Sequence, residues 1–266
     1  YRNIVTDLRK NKIAYNDNAR KFSALTFPLK KIISPRSFQT EAADAWISEK
    51  RGVVALPTGS GKTILAVMLI ARIGRPTLVH VPTIDLMGQW NAVLSEYFDI
   101  KIGMLGGGVN DIQLITVATY DSALLHVPYR GNQFGFLVFD ECHHLPGEQF
   151  KFTALGSIAP FRLGLTATPE RSDGKEKVLY ELCGPLCYET HIDELSGKTL
   201  APYLVKTIEV EMLPEDREQY EIARKCYTEF LRKSRISFKH SQGWSIFLRR
   251  TSESQEGREA FKAYLM

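Results

Sequence analysis

The sequence predicts an α/β fold: a mostly parallel sheet with helices on both faces, followed by a small helical appendage. Two observations carry this. Short β-branched runs recur along most of the chain, and their apolar residues are continuous rather than alternating, as in strands buried on both faces. Between them lie stretches of helical spacing, and strand–helix alternation of this kind is what parallel crossover connections require.

The elements follow in order. Residues 1–33 are polar and charged without a clear period, and read as an extension or the tail of a preceding domain. "RGVVALP" (51–57) reads as a strand. After Lys62, "TILAVMLIARI" is apolar around most of its circumference, which demands a helix buried against the sheet. "TLVHVP" (77–82) is the next strand. "TIDLMGQWNAVLSEYF" (83–98) sets Leu86, Trp90, Val93, Leu94 and Phe98 at three- and four-residue steps, a helix in which Leu86 and Trp90 read as core. "LITVAT" (114–119), "FLVFDE" (136–141) and "RLGLTAT" (162–168) complete the strands. The pattern changes near 205. "VKTIEVEM" reads as a last strand, and "LPEDREQYEIARKCYTEFLRKSR" as a helix with Pro214 near its start and acids in its first turn. The expected division is a domain over 34–205 and a helical segment over 206–266.

Bulk properties exclude more than they identify. A chain of 266 residues with 44% hydrophobic content can bury a sizeable core, and a net charge of +4 is compatible with nucleic acid without pointing to it. Cys142, Cys183, Cys187 and Cys226 are too few and too scattered for a disulfide framework; Cys183 and Cys187 read as two small buried hydrophobes near a strand. No run of 18 uncharged apolar residues and no apolar N-terminal signal occur, so the expectation is a soluble, intracellular protein without a membrane partner. The first residue is Tyr1 rather than Met, which suggests a piece of a longer chain.

Two motifs carry chemistry. "ALPTGSGKT" (55–63) follows a strand and opens a helix, the context of a phosphate-binding loop. Thr58, Gly59, Ser60 and Gly61 turn backbone N–H groups toward phosphate oxygens, Lys62 reaches the β- and γ-phosphates, and the Thr63 hydroxyl ligates magnesium. Leu56 stands where the stricter pattern has its first glycine. "FLVFDECHHLPG" (136–147) ends a strand in two carboxylates followed by Cys142, His143 and His144. A zinc site needs three or four N/S ligands of workable spacing, whereas adjacent side chains diverge. Magnesium is the better reading: Asp140 lies at the end of a strand, where open α/β sheets bind ligands, and Glu141 sits where it can orient and partly deprotonate an attacking water.

The chain resembles the XPB-like DNA helicases of superfamily 2 in their shorter archaeal form, as a first motor domain plus thumb. "DECH" (140–143) is similar to their DExH form of the Walker B motif. "LTATP" (165–169) is similar to motif III, "PRSFQ" (35–39) to the adenine-reading motif, "VHVPTIDLMGQW" to motif Ia, and "GGG" (106–108) with "VATYDS" to the strand-contacting region. These stand in the family's order and cover about half of the chain. "PERSDG" resembles the Arg-Glu-Asp element, with Arg171 and Asp173 matching and Ser172 in place of the glutamate; duplex translocation is therefore the narrower expectation than unwinding.

The resemblance implies a RecA-like domain, ATP and Mg2+ as cofactors, and DNA, duplex or forked, as partner. It implies that Arg36 and Gln39 read adenine, a helix start being the alternative. It gives His143 as γ-phosphate sensor, coupled to the second motor domain, with His144 as readily a packing residue. Thr166 and Thr168 would link hydrolysis to DNA or simply cap a strand end. Thr83, Gln89 and Thr119 would touch the DNA backbone. In "LRKSRISFKHSQGWSIFLRR" (231–250), Arg232, Lys233, Arg235, Lys239, Arg249 and Arg250 would meet phosphates, and the interleaved Phe238, Trp244 and Phe247 either stack bases or pack inward. The implied setting is nucleotide excision repair or transcription, cytoplasmic in a prokaryote or nuclear in a eukaryote.

The family closes ATP against a second RecA-like domain bearing a QxxGRxxR motif, and none occurs between 172 and 266. The expectation is that this chain alone binds Mg–ATP weakly and hydrolyses it slowly or not at all, since such arginines contribute about 10³–10⁵ in rate. Two other readings remain: the motor subunit of a restriction enzyme with a partner nuclease, and a DNA-binding scaffold with a degenerate ATP site. Intact Lys62, Asp140 and Glu141 argue against the second.

Overall fold

A computed structural model of the chain describes all residues except 20–21, 169–173, 175, 196–207, 209, 239–242 and 266. The chain divides into two compact units, Tyr1–Tyr203 and Leu204–Met266. In the first, strands β1 (Arg51–Ala55), β2 (Thr77–Val81), β3 (Ile102–Gly106), β4 (Val109–Asp111), β5 (Ile115–Thr119), β6 (Phe136–Phe139), β7 (Phe161–Thr166) and β8 (Leu186–Glu189) form one sheet in the order β4-β3-β5-β2-β6-β7-β1-β8. All pairings are parallel except the β3–β4 hairpin.

The helices of this unit are α1 (Arg2–Lys10), α2 (Ser37–Glu49), α3 (Lys62–Ile73), α4 (Ile84–Tyr97), α5 (Tyr120–Arg130), α6 (Lys151–Leu155), α7 (Glu176–Cys183) and α8 (Ile192–Leu195). Alternate strand residues feed two cores, as the two-residue period of a strand requires. Val54, Phe136 and Val138 join Trp46 of α2, Leu69 of α3 and Leu94 of α4. Their neighbours Val53, Leu137 and Phe139 join Tyr120 of α5, Ala154 of α6 and Leu179 of α7. A strand with helices on both sides favours apolar residues at successive positions, which is why the central strands read as nearly continuous apolar runs.

The structure departs from the sequence reading at the margins. The stretch before residue 34 shows no period, yet it contains α1 with Val5 buried, and Phe27 enters the main core edge-on to Phe98 at 5.9 Å between centroids. Backbone bonds tie it down, Leu25 N–H to Gly74 O at 2.9 Å and Lys30 N–H to Tyr97 O at 2.8 Å. Strands β4 and β8 carry no clear run because they are the sheet edges and face solvent, whereas β3 is largely buried but its run is broken by Gly103 and Gly106.

The second unit is formed by α9 (Pro214–Lys233), α10 (Gly243–Ser252) and α11 (Gln255–Leu265) around Phe230, Phe247 and Ala260. Of the last strand read at 205–212, residues 205–207 and 209 lie outside the described residues; 208 and 210–212 lie in no regular element, with Ile208 70% and Val210 84% exposed. Strand propensity alone leaves the backbone groups without ladder partners. Among the described residues no helix is long and apolar enough to cross a membrane.

Candidate active site

The C-terminal ends of the neighbouring strands β6, β7 and β1 bring Asp140, Thr166 and the 56–62 loop side by side. Leu56 N–H bonds to Thr166 O at 2.9 Å, so the loop leaves the sheet in register with β7. The loop then turns through Gly59 (φ 78°) and Gly61 (φ 89°), in the left-handed region where only glycine is unstrained. A Cβ on Gly61 would also lie 2.5 Å from the Gln39 amide nitrogen. The buried Ser60 hydroxyl donates to Pro57 O at 2.6 Å, closing the turn. Thr58 and Gly59 are exposed, Lys62 and Thr63 half-buried, and α3 begins at Lys62 with its free N–H groups beside the loop.

Gln39 is nearly fully buried and its amide is committed to backbone. Nε2 donates to Ser60 O at 3.0 Å and Gly61 O at 3.2 Å, while Oε1 accepts from Arg36 N–H at 2.9 Å. The side chain thus clamps the phosphate loop to the start of α2. Arg36, at the N-cap, is exposed.

Asp140 is 7% exposed, and burial pushes its carboxyl pKa up, an effect opposed by the hydrogen bond from Trp90. Trp90 Nε1–H donates to Oδ2 at 2.7 Å, Glu141 N–H to Oδ1 at 3.1 Å, and Tyr120 O–H to the Asp140 carbonyl at 2.9 Å. Glu141 takes φ 47°, a strained value for a non-glycine residue that turns the chain sharply out of β6. Its Oε1 lies 3.9 Å from Lys62 Nζ and its Oε2 3.4 Å from His143 Nδ1. Lys62 also donates to Leu56 O at 3.3 Å. His143 Nδ1 is 3.3 Å from Thr166 Oγ1, which donates to Thr168 O at 2.9 Å and accepts from Thr168 N–H at 3.1 Å. Lys62, Glu141, His143 and Thr166 therefore form one polar chain across three strand ends.

The next side chains diverge. Cys142 is buried in the second core and burial raises its thiol pKa well above the usual value, whereas His144 is exposed with its ring 4.2 Å from that of His143. Among the described residues no three His, Cys, Asp or Glu side chains gather as a metal cage. Hard oxygen donors of the magnesium type, the Thr63 hydroxyl and the Asp140 carboxylate, are present, and a buried carboxylate of raised pKa gains from a cation.

The remaining sequence-derived residues are placed as follows. Thr83 caps α4, its hydroxyl accepting Leu86 N–H at 3.2 Å, and Gln89 is exposed on the same helix. Thr119, nearly buried, caps α5 by accepting Ser122 N–H at 3.2 Å. Gly106–Gly108 form the turn of the β3–β4 hairpin. Arg171, Ser172, Asp173 and Lys239 lie outside the described residues. In the second unit Arg232, Lys233, Arg235, Arg249 and Arg250 are exposed, with Lys233 paired to Glu256 at 2.6 Å and Arg250 to Glu253 at 3.2 Å. Phe247 is fully buried. Phe238 and Trp244, each 42% exposed, lean on it at 5.3 and 5.6 Å between centroids, so this cluster packs inward first. Sequence reasoning missed the polar role of Trp90. The available signal was that a core tryptophan still needs an acceptor for its N–H.

Residues 32–171, just over half of the chain, match the family described as "Type III restriction enzyme, res subunit". The chain is 38% identical over 265 residues to "DNA 3'-5' translocase XPB2" of Sulfurisphaera tokodaii, covering 99% of this chain and 60% of that protein. It is 32% identical over 200 residues to "DNA 3'-5' helicase XPB" of Mycobacterium tuberculosis, covering 71% and 36%. The chain thus spans little more than half the length of the first of these relatives. In fold it is similar to the crystal structure of the UvsW helicase from bacteriophage T4, with a TM-score of 0.53, 18% identity, and coverage of 70% of this chain and 76% of that one. With the family's motifs converging on one end of a mostly parallel sheet, the chain belongs to the Type III restriction enzyme res-subunit family and is XPB-like, of the short archaeal type.

Proposed function

We propose that this chain is the ATP-binding motor half of an ATP-driven DNA translocase. Residues 34–205 form its RecA-like domain, and 206–266 a helical segment that contacts DNA. The observation that carries the reading is the polar chain from Lys62 through Glu141 and His143 to Thr166, beside a loop built to cradle phosphates.

In this reading Lys62 and the N–H groups of residues 58–61 bind the triphosphate, and Thr63 and Asp140 hold magnesium. The ion, when bound, neutralises charge developing on the transferred phosphoryl oxygens. Glu141 orients the attacking water and draws off its proton. His143, whose Nδ1 lies 3.3 Å from Thr166 Oγ1 and 3.4 Å from Glu141 Oε2, transmits the state of the γ-phosphate site to Thr166 and Thr168 at the end of β7. Arg36 meets the adenine side of the site. Thr83, Gln89, Thr119, Arg171 and Asp173 contact the tracked strand, and Arg232, Lys233, Arg235, Lys239, Arg249 and Arg250 meet phosphates. A second RecA-like domain of the same protein completes the site. Travel in the 3′→5′ direction is supported by the names of the relatives, and the repair or transcription setting by the family resemblance.

The test is steady-state ATP hydrolysis by the complete protein and by this chain, with duplex DNA, single-stranded DNA or RNA, and with Glu141→Gln as blank. The complete protein is expected to show DNA-stimulated turnover and the chain alone little above the blank. Stimulation by RNA and not DNA would overturn the reading. A restriction motor is the second reading, favoured by the family description over residues 32–171. It would be exposed by ATP hydrolysis that depends on a specific DNA site and by co-purification with an endonuclease.

A further inference from the structure

Trp90 reads as a core residue of α4, and it is 2% exposed. Yet its ring makes a short polar contact to the side chain of the magnesium-type carboxylate, Nε1–H to Asp140 Oδ2 at 2.7 Å. The other oxygen, Oδ1, takes the Glu141 N–H at 3.1 Å. An indole N–H only donates, so it can neither accept the proton nor compete as a ligand. What it does is fix the rotation of the carboxylate about its last torsion, which is otherwise broad. The donor stands on α4 rather than on the strand that carries Asp140, so it holds the carboxylate from outside its own element.

We propose that Trp90 is a positioning residue for magnesium–nucleotide binding, acting through the Asp140 carboxylate. The inference rests on the nucleotide reading given above. Trp90 holds the carboxylate in one orientation and leaves the lone pairs that it does not occupy to the ion. Trp90→Phe keeps an aromatic ring in the core and removes only the N–H donor and some volume.

The experiment is ADP affinity of this chain, measured by titration calorimetry with magnesium and again with EDTA. The wild-type chain gains affinity from magnesium. In Trp90→Phe that gain shrinks about tenfold, the loss expected of a charge-assisted hydrogen bond, while affinity in EDTA is unchanged. In an Asp140→Asn background Trp90→Phe makes no further difference. Equal losses with and without magnesium, or additive effects in the double variant, would reveal a packing role and overturn the proposal. A full magnesium gain in Trp90→Phe would overturn it alone, whereas no magnesium gain in the wild type would overturn the nucleotide reading with it. Should Trp90→Phe not fold, the Trp90 indole N–H resonance in wild-type protein decides, assigned against Trp46 and Trp244. It is expected to shift with Mg–ADP and stay put with ADP in EDTA; a resonance that does not respond to Mg–ADP overturns the proposal.

Discussion

Lys62 Nζ faces Glu141 Oε1 at 3.9 Å, with the two side chains 11% and 30% exposed. The amine is drawn toward the residue proposed to handle the attacking water, and it also donates to Leu56 O. An incoming γ-phosphate must take the amine from both. Glu141→Gln is therefore expected to leave the Mg–ATP Kd within about threefold or tighten it. Hydrolysis by the complete protein should fall by about 10²–10⁴, the range for loss of a positioned base. Nucleotide binding and steady-state turnover on the same preparation check both; a tenfold weaker Kd would contradict the displaced-amine account.

Gln39 bonds to the backbone of Ser60, Gly61 and Arg36 at once. Gln39→Leu removes these bonds and takes the Gln39 donor from the Ser60 carbonyl, while Gly61 O keeps the N–H groups of Ile64 and Leu65; the loosened loop is expected to lower affinity for ATP and GTP together by about tenfold. Competition binding with the two nucleotides is the check. A loss confined to ATP would show instead that the amide reads the base.

His80 is buried on β2, stacked on Phe139 with its Nδ1 3.2 Å from Val138 O, and burial lowers its pKa to about 4. The folded protein keeps it neutral while the unfolded chain protonates near 6.5. Stability from this residue is present above pH 6.5 and is lost as pH falls toward 4, about 3 kcal/mol in all. Urea unfolding across that window should show the decline, and His80→Phe should flatten it.

Phe247 is the fully buried centre of the second unit, against Phe230 and Ala260. So small a core cannot redistribute the loss, and Phe247→Ala should cost about 3–5 kcal/mol. Amide exchange of α9–α11 in the whole chain should accelerate sharply, with the sheet unit unchanged. Uniform acceleration throughout would contradict independent cores.

Of the exposed basic residues, Arg249 has no ion pair among the described contacts, whereas Lys233 is held by Glu256. If both meet DNA, Arg249→Gln should reduce the slope of log K against log salt by about one. Lys233→Gln should reduce it by less, because its carboxylate partner already offsets part of the charge. Binding titrations at several salt concentrations separate the two.

What the sequence determined by itself is what local periodicity and local chemistry encode. Continuous apolar runs gave β1, β2, β5, β6 and β7, because strands covered on both faces favour apolar residues at successive positions and admit a polar one, such as His80 or Arg162, where it finds a hydrogen-bond partner. Glycine spacing gave the phosphate loop, because Gly59 and Gly61 need backbone angles that side chains forbid. Tertiary structure decided the rest. The edge strands β4 and β8, and β3 beside β4, exist because neighbouring strands accept their hydrogen bonds, while 208–212 carries a strand-like alternation and forms none in its described residues. Phe27 is core because Phe98, the residue that follows α4, lies beside it. Trp90 meets Asp140 across 50 residues of chain, and Gln39 meets Gly61 across 22. Such bonds depend on how a helix is laid against a strand end, a distance that no spacing along the chain records.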